Sequence, residues 1–240
     1  MIYAGRSDCG IRTNNEDAIL IRDGSPALLA VSDGMGGHAC GEVASALVME
    51  SLQEAKIPAR ADNAARSLSK AVMDANVAVY RMAAASAERK GMGATLVCVV
   101  LYEDRAICAN VGDSRLYHFT EGVLKQVTKD QSYVQSLVDA GIITREQALV
   151  HPRRNVILQA MGVELSVHPD LYDLPLRKDD MLLLCSDGLS SSLSEEKMTA
   201  ILLSSLSARE KADALVRAAI ANGSMDNVSV VIAVPEEVQA

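Results

Sequence analysis

Ala27-Leu28-Leu29-Ala30-Val31-Ser32-Asp33-Gly34-Met35-Gly36-Gly37-His38 reads as an apolar strand that runs straight into a carboxylate and a glycine-rich turn. An unbroken run of small and aliphatic residues suits a strand buried on both faces, and the glycines let the chain bend where it leaves the core. The pattern recurs along the chain. Asp113 follows Ala106-Ile107-Cys108-Ala109-Asn110-Val111-Gly112, Asp187 follows Met181-Leu182-Leu183-Leu184-Cys185-Ser186, and Asp226 precedes Asn227-Val228-Ser229-Val230-Val231-Ile232. Carboxylates gathered at the ends of buried strands repel one another and lose hydration, so such a cluster calls for cations. Its donors are all oxygen, with no Cys or His among them, which favours the hard ions Mg²⁺ or Mn²⁺.

Outward from that stretch, alternation and β-branched content predict strands at 2–5, 17–22, 27–32, 95–101, 105–111, 115–119, 124–127, 167–174, 181–186 and 227–233. Asp104 sits in a short turn between two of them, so those two are expected to form an antiparallel hairpin. Two helices follow the Asp33 turn. Ala44, Leu47, Val48, Ser51, Leu52 and Ala55 share one face of the first, which Pro58 ends; Ala64, Leu68, Ala71, Val72, Ala75, Val79 and Met82 share one face of the second, with Asp62 as its N-cap. A helix is predicted over 195–203. Ser207-Ala208-Arg209-Glu210 has capping-box form and opens another that buries Ala212, Leu215, Val216, Ala219 and Ile220. Strands, a helical pair, more strands, a second helical pair and a last strand together suggest two sheets face to face with helices outside.

The 240 residues are enough to bury a substantial core, and no low-complexity tract, Pro/Ser-rich stretch or charge block divides them, so residues 1–240 are expected to form one domain. A hydrophobic fraction of 49% with no Trp and one Phe predicts a core of Ala, Leu, Val, Ile and Met. No run approaches the ~18–20 apolar residues of a membrane helix. Met1-Ile2-Tyr3-Ala4-Gly5-Arg6 lacks the apolar region of a signal peptide, so a cytoplasmic location is expected. Cys9, Cys40, Cys98, Cys108 and Cys185 show no C-x-x-C spacing and three lie in apolar strands, which predicts reduced core thiols rather than disulfides or zinc ligands. The net charge of −8 argues against a nucleic-acid partner and gives an anionic substrate no overall attraction, so capture would fall to local positive charge.

Asn15-Glu16-Asp17, Asp33-Gly34-Met35-Gly36-Gly37-His38, Gly91-Met92-Gly93-Ala94-Thr95, Gly112-Asp113-Ser114-Arg115, Ser186-Asp187-Gly188-Leu189 and Asp226-Asn227 occur in an order and spacing that resembles the PPM/PP2C metal-dependent protein serine/threonine phosphatases, bacterial branch. The likeness runs from about Gly5 to about Val234. It implies an α+β fold, a four-layer αββα sandwich of two mostly antiparallel sheets flanked by helix pairs, with metals in a cleft at one end. It also implies a flap subdomain at about 132–162, where short helical pieces are predicted at 134–140 and 145–150.

The resemblance further implies two to three Mn²⁺ or Mg²⁺ ions. Asp33 would bridge two of them, Gly34 would offer its backbone carbonyl to one, and Asp187 and Asp226 would hold the other. Asp113, with Asp187, is the candidate ligand of a third ion; its alternative is to organise the turn before Ser114-Arg115 or to pair with Arg115. Glu16 and Asp17 would accept hydrogen bonds from metal-bound waters. Arg12 stands where the family places its phosphate-binding arginine, whose planar fork suits two phosphate oxygens. The expected reaction is direct attack by a metal-bridging hydroxide on phosphoserine or phosphothreonine, since neither a Cys-x5-Arg loop nor a Ser/His/Asp series stands out.

Two departures from the family bear on the leaving-group proton. The residue after Gly34 is Met35, which cannot transfer a proton, so His38 or metal-bound water must serve. Many bacterial relatives have His at Gln131, and Gln does not titrate near neutral pH. His151-Pro152-Arg153-Arg154-Asn155 could meet an acidic phosphopeptide. The expected partners are phosphoproteins and an opposing Hanks-type kinase, with the chain a monomer. A catalytically silent phosphatase-like binding module is the rival reading. An N-terminal-nucleophile amidohydrolase shares the layering but needs a Thr, Ser or Cys freed at the chain start, where Met1-Ile2-Tyr3 stands.

Overall fold

Eleven strands in the computed structural model, which describes residues 1–36 and 40–235, form two antiparallel sheets. One has the order β1-β11-β10-β7-β8, built from β1 (Ile2–Asp8), β7 (Arg115–Thr120), β8 (Val123–Gln126), β10 (Met181–Cys185) and β11 (Val228–Val234). The other runs β2-β3-β5-β6-β9, from β2 (Asp17–Arg22), β3 (Ala27–Met35), β5 (Leu96–Leu101), β6 (Arg105–Val111) and β9 (Asp170–Pro175), with the two-residue β4 (Gly93–Ala94) beside the end of β3. The β5–β6 pair is the hairpin expected at Asp104, where Tyr102 N–H donates to Arg105 O at 2.9 Å.

Alternation along the strands makes three apolar layers. Leu29 and Val31 of β3 face the other sheet and meet Val97, Val99, Leu182, Leu184 and Val231. Leu28 and Ala30 point the opposite way, onto α1 (Gly41–Gln53) and α2 (Ala64–Ala84), where Ala44, Val48, Leu52, Leu68, Val72 and Val79 wait. On the far side Leu183, Val228, Val230 and Ile232 pack against α5 (Asp187–Ser190), α6 (Glu195–Leu202) and α7 (Ala208–Ala221) through Leu189, Met198, Leu215 and Val216. This is why the strand sequences read as continuous apolar runs. Each fully buried Leu or Val contributes about 1.5–3 kcal/mol, so these layers dominate the fold energetically.

The helix ends are closed in identifiable ways. Arg22 reaches from β2 to donate to the carbonyls of Leu52, Gln53 and Ala55 at 2.9–3.1 Å, satisfying acceptors that the last turn of α1 leaves open. The capping box at Ser207 is formed with Glu210. Asp62 is not the N-cap of α2. It lies within a short 3-10 turn (Ala61–Asn63) that precedes the helix, and Asn63 takes the cap position without a side-chain cap bond. No disulfide forms among the described residues, and Cys98, Cys108 and Cys185 are buried in strands as expected. Among the described residues, no helix is long and apolar enough to cross a membrane.

Register places the functional end. Asp17 of β2 stands opposite Asp33 of β3, Leu96 of β5 opposite Val111 of β6, and Cys185 of β10 opposite both Arg115 of β7 and Val230 of β11. The C-terminal ends of β3, β6 and β10 and the N-terminal ends of β2, β7 and β11 therefore open at one edge of the sandwich. The link from β8 to β9 lies beside it and carries α3 (Tyr133–Asp139) and α4 (Arg145–Leu149), close to the predicted helical pieces.

Candidate metal and phosphate site

Asp33 is fixed by its backbone before its side chain does anything. Its carbonyl accepts from Thr95 N–H at 2.8 Å, and its N–H donates to the Thr95 hydroxyl at 2.9 Å. That hydroxyl also lies 2.6 Å from the Ser114 hydroxyl, so one threonine ties the end of β3 to the turn that carries Asp113. Gly34 donates its N–H to Glu16 O at 3.0 Å, and a Cβ there would run into the backbone of Gly41 and Glu16. Only glycine lets the two chains approach this closely.

Asp226 and the loop over 9–16 are organised by Asn227. Its side chain donates to Cys9 O at 3.1 Å and Asn14 O at 2.9 Å, and accepts from Glu16 N–H at 2.8 Å. Arg12 donates from Nε to Met225 O and from Nη2 to Asp226 Oδ2, both at 2.9 Å, which turns its fork toward the carboxylate cluster. Asp17 accepts from the Ser186 hydroxyl at 2.7 Å, next to Asp187.

The electrostatics are those of one crowded group. Burial pushes the Asp33 carboxyl well above the usual carboxylate range, and Asp17, Asp187, Asp113 and Asp226 push it further. The Asp187 carboxyl is itself raised by burial and by Asp226. Burial raises Asp17 and Asp113 each to about 7; Asp187 adds to both shifts, while Arg115 opposes the one at Asp113. Glu16 is raised by burial and by Glu42.

Asp17 Oδ1 and Asp187 Oδ1 are buried without a hydrogen-bond partner. Among the described residues no three acidic, His or Cys side chains close around a single point as a finished coordination shell. The donor set still fits hard divalent cations. It consists of oxygens alone, carries surplus negative charge, and leaves two buried oxygens unsatisfied where a cation would compensate both.

The sequence-predicted residues Arg12, Glu16, Asp17, Asp33, Gly34, Asp113, Asp187 and Asp226 are thus brought together at one edge; His38 lies outside the described residues. Arg115 does not pair with Asp113. Its guanidinium makes a two-point bond to Asp130 at 2.7 and 2.9 Å and donates to the Tyr117 hydroxyl at 3.1 Å. Sequence reasoning missed Thr95, Ser114 and Asn227 as organisers of the site, although all three belong to the quoted motif blocks.

Beside the cleft, the arms of segment 132–162 are anchored at both ends. Ser132 bridges to Ile157, and Tyr133 N–H donates to Val156 O at 2.8 Å. Met161 exchanges backbone bonds with Ala94 of β4 at 2.7 and 3.1 Å, and Gly162 N–H donates to Asn76 Oδ1 of α2 at 2.7 Å. Gly162 has φ +82°, and a side chain there would strike Val79. Between the anchors nothing in α3 or α4 is buried, and Arg153 lies over the Tyr133 ring at 5.4 Å.

A family model described as protein phosphatase 2C matches residues 4–222. The chain is 38% identical over 234 residues to the serine/threonine phosphatase stp of Listeria monocytogenes, covering 95% of this chain and 93% of that protein. It is 41% identical over 233 residues to the serine/threonine protein phosphatase PstP of Mycobacterium tuberculosis, covering 96% of this chain and 44% of that longer protein. Among solved structures, the serine/threonine phosphatase Stp1 from Staphylococcus aureus superposes with a TM-score of 0.92 at 38% identity, covering 98% of this chain and 94% of that one. The catalytic domain of PstP in complex with two manganese ions superposes with a TM-score of 0.87 at 39% identity, covering 98% of each chain.

Proposed function

The chain belongs to the protein phosphatase 2C family and is a PP2C-type protein serine/threonine phosphatase, and from that premise we propose how its own residues carry the activity. Asp33, the Gly34 carbonyl, Asp187 and Asp226 hold two Mn²⁺ or Mg²⁺ ions, and Asp113 with Asp187 holds a third. When bound, such ions withdraw charge from phosphoryl oxygens and acidify water. The observation that carries this reading is the pair of buried oxygens, one on Asp17 and one on Asp187, left without a partner among carboxyls that burial, helped by neighbouring carboxylates, pushes upward.

Arg12 meets the phosphate of the substrate. Its Nε and Nη2 are held by Met225 and Asp226, so the guanidinium plane is set before substrate arrives and less entropy is lost on binding. Glu16 and Asp17 accept hydrogen bonds from water on the cleft floor and so orient it. His38, five positions after Asp33 in the sequence, remains the candidate donor of a proton to the leaving serine or threonine oxygen. The segment 132–162 is the flap that meets the protein part of the substrate. The whole is a single phosphatase domain, acting as a monomer in the cytoplasm and opposing a Hanks-type serine/threonine kinase.

The test is hydrolysis of a phosphothreonine peptide by purified protein with Mn²⁺, with Mg²⁺ and with EDTA. Turnover with either ion and none with EDTA is expected. Inactivity in all three would favour the silent binding module.

A further inference from the structure

Gln131 commits both of its backbone groups and both ends of its side chain at one crossing of the chain. Its N–H donates to Gly112 O at 2.9 Å, while its Oε1 accepts from Gly112 N–H at 3.0 Å, so the residue before Asp113 is gripped at both of its backbone polar groups. Its Nε2 donates to Asp170 Oδ2 at 2.9 Å, where β9 begins, and its carbonyl accepts from Leu158 N–H at 2.7 Å on the returning arm of segment 132–162. An N–H faces Oε1 and a carboxylate faces Nε2, so the opposite amide orientation would set like against like.

Gly112 cannot relax by itself. It has φ +97°, and a Cβ there would stand 2.9 Å from the side chain of Thr95. Its carbonyl also accepts from Asn110 Nδ2 at 3.2 Å. The direction in which Asp113 leaves this turn is therefore set by what holds the Gly112 amide, and Gln131 supplies a donor and an acceptor to it from outside the turn.

We infer that Gln131 is a positioning residue: its side chain sets the Asp113 carboxylate and couples it to the arm of segment 132–162 that carries Leu158. The inference rests on the reading of Asp113 as a ligand. A group that orients a ligand through one intervening contact costs about 10- to 100-fold in metal affinity or activity when removed. It should act on the Asp113 ion alone, because Asp33 and Asp226 are held by Thr95 and Arg12 instead.

Gln131→Met keeps the length of the side chain and loses both polar ends. Mn²⁺ calorimetry and hydrolysis of para-nitrophenyl phosphate are compared for wild type, Gln131→Met, Asp113→Asn and the double variant, with circular dichroism to confirm folding. Gln131→Met should weaken the weakest Mn²⁺ ion about 10- to 100-fold and leave the tighter ions within about twofold. It should lower kcat more than it raises KM, and add no further loss to Asp113→Asn. If the Met variant fails to fold, Gln131→Ala carries the test with the same expectation, since it too removes the side-chain acceptor from Gly112 and keeps the backbone donor. An unchanged weakest ion in the Gln131 variant, or equal losses at every ion, would overturn the inference while leaving Asp113 a ligand. An unchanged weakest ion in Asp113→Asn would overturn the ligand reading and this inference with it.

Discussion

The carboxylate edge and the flap lie side by side and are built in opposite ways. At the edge, Asp33 and Asp113 stand on strands or turns fixed by backbone pairing and by Thr95, and their side chains are raised in pKa by burial. In the flap no residue of α3 or α4 is buried, and Ile142, Leu149 and Val150 are 67%, 71% and 80% exposed. The edge stores unfavourable electrostatics inside a rigid frame, whereas the flap presents apolar and basic side chains to whatever approaches. Under the proposed function, that difference assigns the chemistry to the edge and the contact with the protein substrate to segment 132–162. It also predicts which substitutions trade stability for activity.

The largest effect should come from Asp33→Asn. It replaces a buried carboxyl crowded by Asp17, Asp187, Asp113 and Asp226 with an amide that never ionises, so the EDTA-treated protein should melt no lower than wild type, and higher as pH rises. Under the proposed ligand set turnover should nevertheless fall by at least ~10³-fold, about 4 kcal/mol, because Asp33 would no longer hold the ions that stabilise charge on the phosphoryl oxygens. Thermal unfolding and a phosphopeptide assay check the two halves. A folded variant with near-normal rates would remove Asp33 from the chemistry.

A smaller effect is expected from the flap. Replacing Arg153 and Arg154 by Ala should lower kcat/KM for an acidic phosphopeptide by roughly five- to thirty-fold at low salt, less as salt rises, and should spare an aryl phosphate. Arg153 lies over the Tyr133 ring, so its single replacement also tests whether that contact presets the guanidinium. Equal losses on both substrates would erase the contrast between edge and flap.

The edge was largely legible in the sequence because its logic is local. A buried strand running into a small-residue turn announces itself, and an aspartate at such a place has few innocent explanations once it recurs. The sandwich followed from the same runs, together with the two helical faces. The contacts that organise the site were not legible, since they join distant parts of the chain. Asn227 reaches Glu16 across 211 positions, and Thr95 reaches Asp33 across 62; no local pattern encodes such pairings. Asp62 was misread for a related reason: either Asp62 or Asn63 suits a cap, and a 3-10 turn shifted the helix start by one residue. Gln131 reads in sequence only as a residue that cannot titrate, and its bonds to Gly112, Asp170 and Leu158 become visible only where the chain crosses itself.

Thermal unfolding across about pH 5 to about pH 8, with Mn²⁺ and with EDTA, tests most directly whether the buried carboxylates form a cation site. Asp17 and Asp113 are raised to about 7 in the folded chain from an ordinary value of 3.8, so between those limits the folded state binds more protons than the unfolded one. Without metal, their contribution is most favourable at the acid end and is lost as pH rises through about 7. Mn²⁺ binds only the deprotonated carboxylates, so its stabilisation grows over the same interval. The melting temperature with Mn²⁺ minus that with EDTA should be near zero at about pH 5 and reach roughly 5 °C or more at about pH 8. A difference that is absent at the alkaline end, or constant across the whole range, would contradict the account.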